Sequence, residues 1–203
     1  MSKPRSVIGI TGGISTGKST FAERLRQRLG ARFFDADRAA RQLVDHDPEV
    51  RQLVGAKFGP EILSAHGHLN RSALRAIVFA DQEKKRALEQ ILHPRIRRQW
   101  ATEAETSRKS GEIFLADIPL LYETKGETLC DRVVVVACSE EIQLQRLIAR
   151  ARLTPNDALA MIASQMPLPE KISRADHVIW NNGPLSVLEA QVEILAGFLA
   201  HGR

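Results

Sequence analysis

The sequence predicts an α/β fold in which helices cover a parallel β-sheet. A short apolar strand at residues 6–11, a helix at residues 19–29 and a second strand at residues 31–34 follow one another within about thirty residues, as in a βαβ unit. Four consecutive valines at residues 133–136 indicate a strand buried on both faces, as in the centre of a parallel sheet. The chain of 203 residues is long enough for one domain, or for one core that carries an insertion.

The N-terminal elements follow from apolar spacing and from glycine. The first strand is too short and too uniformly apolar for an amphipathic helix, and a glycine-rich turn separates it from the first helix. Phe21 and Leu25 share one face of that helix, and Gly30 lies where a helix C-cap belongs. The second strand is expected to end at Asp35 and Asp37.

The middle of the chain is predicted to be helical, because no strand pattern occurs between residues 47 and 110. We expect His93-Pro94 to interrupt the helical run, since a proline disfavours the helical conformation of the residue before it. Residues 59–110 are interpreted as a helical insertion into the α/β core. Capping residues mark the expected helix starts: Asp47, Asn70 and Asp81.

Strands return in the C-terminal half. The expected elements are strands at residues 113–117 and 132–137, a helix at residues 139–150, a helix from Thr154-Pro155 to about Met166-Pro167, a strand at residues 177–180 and a closing helix at residues 185–199.

Composition excludes several protein classes. With 43% hydrophobic and 26% charged residues the chain is neither disordered, collagen-like nor a coiled coil. No apolar run approaches the roughly 20 residues of a membrane helix, and residues 1–5 show no leader, so we expect a soluble cytoplasmic protein. Cys130 and Cys138 match no metal or redox spacing. The net charge of +5 fits a polyanionic partner, either nucleic acid or a phosphate-rich metabolite.

The strongest motif lies between the first strand and the first helix. Residues 12–19 fit the phosphate-loop pattern G-x-x-x-x-G-K-[ST] without mismatch. Glycines permit a close approach of the backbone to phosphate, Lys18 supplies a charge to the β- and γ-phosphates, and Ser19 is placed to ligate Mg²⁺. We expect Lys18 to face solvent until ATP binds. The predicted ATP-binding residues of this loop are Gly13, Ser15, Thr16, Gly17, Lys18, Ser19 and Thr20.

Three carboxylates follow predicted parallel strands, namely Asp35, Asp37 and Asp117. Nucleotides bind at the carboxyl edge of such sheets, where an acid can take a proton from an attacking hydroxyl or hold Mg²⁺. Aspartate before a helix also serves as an N-cap, so a structural role stays open.

Arginines cluster near the end of the helix at residues 139–150. Arg146, Arg150 and Arg152 suit a lid that closes over the triphosphate, although positive charge at a helix C-terminus is also stabilising by itself. Arg95, Arg97 and Arg98 in the insertion are candidates for substrate phosphates, with a plain surface position as the alternative for each.

Further segments go beyond a generic phosphate loop, and with them the chain resembles dephospho-CoA kinase over nearly its whole length. The His-Pro and Asp-x-Pro-Leu-Leu segments, in this order along the chain, are the most specific. The landmarks are Ile10 to Thr20, Asp35-Ala36-Asp37 with Ala40-Arg41, Leu92-His93-Pro94, Asp117 to Glu123, Ser164-Gln165-Met166, Lys171, Ala175-Asp176, and Val178-Ile179 before Asn181-Asn182-Gly183.

The resemblance implies a three-layer P-loop kinase fold with five parallel strands. It implies a nucleotide-binding core of residues 1–58, 111–149 and 171–203, a CoA-binding insertion at residues 59–110 and a lid at residues 150–170. The implied reaction is phosphorylation of the ribose 3′-hydroxyl of dephospho-CoA by ATP with Mg²⁺. The implied catalytic residues are Asp37, as the base, and Lys18. The residues implied at ATP are Arg146, Arg150 and Asn182, and those implied at the metal are Ser19 and Asp117. The residues implied at the acceptor are Asp35, Arg41, His93, Pro119, Leu120 and Leu121.

Two lid positions depart from the family pattern. Ala151 replaces a usual acid and Met161 a usual arginine, and Arg152 is a candidate to compensate. A kinase for another nucleoside, nucleotide or small alcohol is the nearest alternative. A non-catalytic nucleotide-binding module or an RNA-binding protein is the other, although no aromatic-basic strands for base stacking are visible. We expect a monomer, with an oligomer as the alternative, and no nucleic-acid or membrane partners.

Overall fold

The structure, a computed structural model, describes residues 6–59, 62–63 and 69–201. Residues 1–5, on which the expectation of a missing leader rests, lie outside the described residues. So do residues 60–61 and 64–68 of the predicted insertion, and residues 202–203 of the predicted core.

The described chain forms a parallel β-sheet of five strands in the order β2-β3-β1-β4-β5. The predicted α/β fold with a five-stranded parallel sheet is therefore confirmed. The central strands β1, β3 and β4 are almost wholly buried, as their apolar runs predict. The strands are β1 Val7–Gly12, β2 Arg32–Asp35, β3 Phe114–Asp117, β4 Arg132–Ala137 and β5 His177–Trp180.

The α-helices of the described residues are α1 Lys18–Leu29, α2 Ala36–His46, α3 Pro48–Phe58, α4 Arg71–Ala80, α5 Gln82–Ser110, α6 Glu140–Ala151, α7 Pro155–Ala163, α8 Leu168–Ser173 and α9 Leu185–His201. Helices α1 and α9 bury apolar side chains together with the central strands, including Phe21, Leu25, Leu188, Val192, Ile8, Ile10, Val134 and Val136. This core fixes where β1 ends and α1 begins, and hence where the glycine-rich loop lies.

The chain divides into two compact units. One contains the residues up to Asp35 and those from Ala101 onward, and the other comprises Ala36–Trp100. The second unit is helical and has its own apolar core, which includes Val44, Val50, Val54, Phe58, Ile62, Leu74 and Leu92. This unit starts earlier than residue 59, because α2 and α3 contribute to its core. The functional division into core, insertion and lid stays a prediction.

Two helices were not predicted from the sequence. Helix α2 begins directly after β2, and its apolar side chains have helical spacing that the sequence prediction did not use: Ala36, Ala39, Ala40, Leu43 and Val44. Helix α8 begins at a proline-rich segment that we interpreted as a helix end. Pro167 instead precedes the helix and Pro169 lies in its first turn, where a missing N–H costs nothing.

The expectation that His93-Pro94 interrupts the helical run is wrong, because α5 continues through Pro94. The ring of Pro94 and the side chain of Gln90, four residues earlier, are both exposed, so water can bond the carbonyl that proline leaves without a helical donor. The carbonyl oxygen of Ile91, the next residue after Gln90, accepts from Arg95 Nη1 at 3.0 Å. None of the described helices combines the length and the apolar character needed to cross a bilayer.

Candidate functional site

The glycine-rich segment forms a loop between β1 and α1, and the conformation of its backbone is typical of an anion-binding site. Ser15 and Gly17 adopt left-handed conformations, with φ of 60° and 90°. Thr16 Oγ1 donates to the carbonyl oxygen of Gly13 at 2.9 Å and closes the loop. The first turn of α1 carries no acidic side chain, so no carboxylate of that turn competes for its N–H groups. These N–H groups and the positive end of the helix dipole suit a phosphate.

Two glycines of the loop allow close approaches that no larger residue tolerates. A Cβ atom on Gly12 would lie 2.3 Å from the carbonyl oxygen of Val136 in β4. A Cβ atom on Gly17 would lie 2.1 Å from Nδ2 of Asn181, in addition to the strain of its positive φ. Gly12 is therefore required by the packing of the loop against β4, and Gly17 by its packing against Asn181, which directly follows β5.

Lys18 contacts the carboxylate of Asp117. The expectation that Lys18 faces solvent is wrong, since its side chain is only 11% exposed and that of Asp117 only 4%. Asp117 ends β3, in register with Ile10 of β1 and Asp35 of β2, so the carboxyl edge of the parallel sheet brings this acid to the lysine of the loop. The pair holds the ammonium group in place at the start of α1.

Three side-chain amides hold the backbone of the loop. Gln143 Nε2 of α6 donates to the carbonyl oxygen of Ile14 at 2.9 Å, and Gln165 Oε1 accepts from the N–H of Ile14 at 3.1 Å. Asn181 Nδ2 donates to the carbonyl oxygen of Thr16 at 2.8 Å. The sequence reasoning gave none of the three a role. Gln165 and Asn181 appear among its family landmarks, whereas Gln143 carries no signal in the sequence.

Ser19 and Asp117 provide oxygen ligands suited to Mg²⁺. Ser19 is exposed in the first turn of α1, and Asp117 lies beside Lys18. The described residues contain no group of three or more His, Cys, Asp or Glu side chains that would form an all-protein metal cage. A hydroxyl and one carboxylate fit Mg²⁺, which keeps several waters and takes further oxygens from substrate phosphates.

The predicted ATP-binding residues outside the loop occupy distinct environments. Arg146 of α6 is half-buried, and its Nη1 is buried with no hydrogen-bond partner among the described residues. Burial raises the pKa of the adjacent Cys138 thiol, and Arg146 opposes this shift. Arg150 is exposed in the last turn of α6. Asn182, exposed after β5, accepts from the N–H of Ser139 through Oδ1 at 2.9 Å.

Three predicted acceptor-site residues belong to the helical unit. Asp37 and Arg41 are both exposed on α2, one helical turn apart, and therefore share a face. His93 of α5 is half-buried. Its burial lowers the pKa of the imidazole, and Glu89 partly opposes this shift. Asp35, at the end of β2, belongs to the other unit and is half-buried.

In the segment after β3, backbone carbonyl groups of the predicted residues accept hydrogen bonds from within the protein. The carbonyl oxygen of Pro119 accepts from Thr11 Oγ1 at 3.0 Å, and Leu121 is fully buried against Gly9. Leu120 is half-buried, and its carbonyl oxygen accepts from Thr124. Leu121 therefore belongs to the apolar packing beneath the site.

Comparison with known proteins decides the family. A family model described as dephospho-CoA kinase matches residues 6–186 of the chain. The chain belongs to the dephospho-CoA kinase family. It is 44% identical to the dephospho-CoA kinase of Listeria monocytogenes, over 91% of this chain and 92% of that protein. It is 40% identical to that of Bacillus cereus, over 93% and 94%.

The structure agrees with this membership. It is similar to the dephospho-CoA kinase of Campylobacter jejuni, with a TM-score of 0.73 and 27% identity over 97% of this chain and 98% of that one. The family resemblance drawn from the sequence is confirmed, and with it the prediction of a nucleotide-binding kinase, a transferase of coenzyme A biosynthesis. Dephospho-CoA kinases use ATP as phosphate donor, in agreement with the loop found here.

Proposed function

We propose that this protein transfers the γ-phosphoryl group of ATP to the ribose 3′-hydroxyl of dephospho-CoA, giving coenzyme A and ADP. One observation carries the proposal. A complete phosphate loop, in which Lys18 forms an ion pair with Asp117, lies in a chain that matches the dephospho-CoA kinase family over residues 6–186. The loop supplies the donor chemistry, and the family supplies the acceptor.

On the donor side, the N–H groups from Ser15 to Thr20 bind the phosphate oxygens, and Lys18 bears charge that develops on them. Ser19 and Asp117 would hold Mg²⁺, which when bound would neutralise part of the negative charge of the triphosphate. Arg146 and Arg150 contact ATP, and the buried, unpartnered Nη1 of Arg146 among the described residues supports this role. Asn182 contacts adenine, the part of ATP assigned to it by the family resemblance.

On the acceptor side, Asp37 accepts the proton of the 3′-hydroxyl as this oxygen attacks the γ-phosphorus, and the bond to the β,γ-bridging oxygen breaks. The exposure of Asp37 and Arg41 on one face of α2 supports a shared role toward the acceptor. Asp35, His93 and the Pro119–Leu121 segment complete the acceptor site in this proposal, with Leu121 acting through its packing beneath the site.

The proposal assigns residues 59–110 to binding of the CoA moiety and residues 150–170 to a lid over ATP. Ala151 and Met161 are uncharged, so neither of these two lid positions supplies a charge to the nucleotide. Arg152, exposed and in a left-handed conformation with φ of 53°, ends α6 and is the candidate to compensate. We further propose a monomer that acts in the cytoplasm without nucleic-acid or membrane partners.

A panel of acceptors tests the proposal. The purified protein is incubated with ATP and Mg²⁺ and with dephospho-CoA, adenosine, AMP, shikimate or gluconate, and ADP release is followed. We expect a large kcat/KM with dephospho-CoA alone. A larger kcat/KM with any other acceptor would contradict the proposed substrate, and nucleotide binding without turnover would indicate a regulatory module.

A further inference from the structure

A lysine outside the phosphate loop lies fully buried beneath it. Lys171 of α8 is 0% exposed, although lysines are rarely buried unless they are paired. Its ammonium Nζ lies 2.9 Å from the carbonyl oxygen of Pro119, 3.4 Å from that of Gly12 and 2.9 Å from Oε1 of Glu123. The three acceptors match the three donor protons of the ammonium group.

The two carbonyl groups belong to the two segments that carry Lys18 and Asp117. Gly12 is the last residue of β1 and the first of the phosphate-loop motif, and Pro119 follows Asp117 by two residues. A single ammonium group therefore ties the start of the loop to the segment that continues from the metal-binding carboxylate. Thr11 Oγ1 donates to the same carbonyl oxygen of Pro119 at 3.0 Å and strengthens this connection.

The partner carboxylate extends the connection to the chain that follows α7. Glu123 Oε1 also accepts from the N–H of Met166 at 3.0 Å, and the preceding residue, Gln165, binds Ile14 of the loop. Burial lowers the pKa of Lys171, and the hydrogen bond that its ammonium group donates to Glu123 opposes this shift. The segment from Gln165 to Lys171 thus contacts the phosphate loop at two places, Ile14 and Gly12, and the segment after β3 at two more, Pro119 and Glu123.

We propose that Lys171 is a positioning residue for phosphoryl transfer, which fixes the distance between the phosphate loop and the Asp117–Pro119 segment. The inference rests on the proposed kinase function. Transfer requires Lys18, the phosphate chain and the Asp117 carboxylate in one arrangement, and a displacement of about 1 Å can cost about a hundredfold in rate. A buried ion pair that has only a structural role can often be replaced by apolar side chains, with the free energy of unfolding unchanged or raised. The rate of phosphoryl transfer therefore distinguishes a positioning role from a purely structural one.

Four variants test this role. Lys171→Met removes the ammonium group and keeps an unbranched side chain that is one atom shorter. Glu123→Gln keeps an oxygen that accepts from Lys171. Thr11→Val removes the second donor to Pro119. Leu199→Ala, in the core at the end of α9, is the control for lost stability alone. For each we would measure kcat per folded molecule, both KM values, the unfolding temperature, and the affinity for ATP with Mg²⁺ by calorimetry.

We expect Lys171→Met to lower kcat about tenfold or more with a change in the dephospho-CoA KM of less than about threefold. Glu123→Gln should keep kcat within about threefold, and Leu199→Ala should unfold at a lower temperature with an unchanged kcat. A folded Lys171→Met with the kcat of the wild type would overturn the proposal. If that variant does not fold, Thr11→Val decides: a lowered kcat supports the proposal, and an unchanged one overturns it.

Failure of the kinase function is separable from failure of this inference. A wild-type protein that does not phosphorylate dephospho-CoA refutes the proposed function. The affinity for ATP still reports on the loop: weaker binding by Lys171→Met than by both the wild type and Leu199→Ala supports the positioning role, and equal binding overturns it.

Discussion

Lys18 shows how one side chain serves both the fold and the chemistry. Because it is almost buried against Asp117, its removal takes a charge from the phosphates and a cation from a buried carboxylate. We expect Lys18→Ala to lower kcat by about a hundredfold or more and also to lower the unfolding temperature. The measurements are steady-state kinetics and thermal unfolding. Lys109→Ala, which changes an exposed lysine paired with Glu105, should alter neither, and an unchanged kcat for Lys18→Ala would refute the donor-side account.

Asp37 is the residue on which the proposed acceptor chemistry depends. If it takes the proton of the attacking hydroxyl, Asp37→Asn should lower kcat by about a hundredfold or more and change either KM far less. Kinetics with both substrates varied would measure this split. Glu83→Gln removes a first-turn acid from α5 instead, as a control for helix stability. An increase in KM alone would make Asp37 a binding residue and not the base.

At the residue scale, the sequence predicts functional residues that lie within one motif better than those that only folding brings together. Lys18 and Ser19 stand inside one motif, and the end of a parallel strand predicts the place of Asp117. The roles of Lys171 and Gln143 depend on contacts with Gly12 and Ile14, more than a hundred residues away in the chain. No local spacing encodes such contacts, because they arise only when α6 and α8 pack against the loop.

At the scale of elements, the phosphate loop depends on a left-handed glycine more strictly than a helix end does. Gly17 and Gly30 both have positive φ, but only at Gly17 would a Cβ atom meet a neighbour, Asn181 Nδ2. We expect Gly17→Ala to lower kcat/KM for ATP by about a hundredfold. Gly30→Ala should cost about 1 kcal/mol of stability and leave kinetics unchanged. Kinetics and denaturant unfolding of both variants check this, and equal kinetic effects would contradict it.

Several of the correctly predicted helices begin with side-chain caps that can be recognised in the local sequence. The Asp47 side chain accepts from the N–H groups of Glu49 and Val50, and the Asn70 side chain accepts from Ala73. Asp35 stands directly before α2, in the position of an N-cap, but it also ends β2, and the helix start was not recognised. Pro94 misled the prediction, because a proline whose ring is exposed does not have to end a helix. Before Pro167 a helix does end, at Ala163, but the start of α8 directly after this proline was missed.

At the scale of the whole molecule, buried histidines make stability depend on pH. Burial, together with Arg132, lowers the pKa of His177 below 6.5, and Asp176 partly opposes this; burial also lowers the pKa of His93. The unfolded chain therefore binds protons at a higher pH than the folded one, and the free energy of unfolding should fall as pH decreases from about 7 to about 5.5.

Urea unfolding across this pH range would measure the effect. His177→Gln should reduce the loss of stability toward acid, because the group that resists protonation in the fold is gone. His46→Gln, which changes an exposed histidine, should leave the slope as it is. A slope that His177→Gln does not alter would show that other groups cause the pH dependence.

The most direct test of the account concerns the product. The protein is incubated with ATP, Mg²⁺ and dephospho-CoA, and the product is analysed by mass spectrometry and ³¹P NMR. We predict one ADP for each coenzyme A, with the new phosphate on the ribose 3′-oxygen. A folded protein that binds ATP but forms no 3′-phosphorylated product, or places the phosphate on another oxygen, would contradict the account.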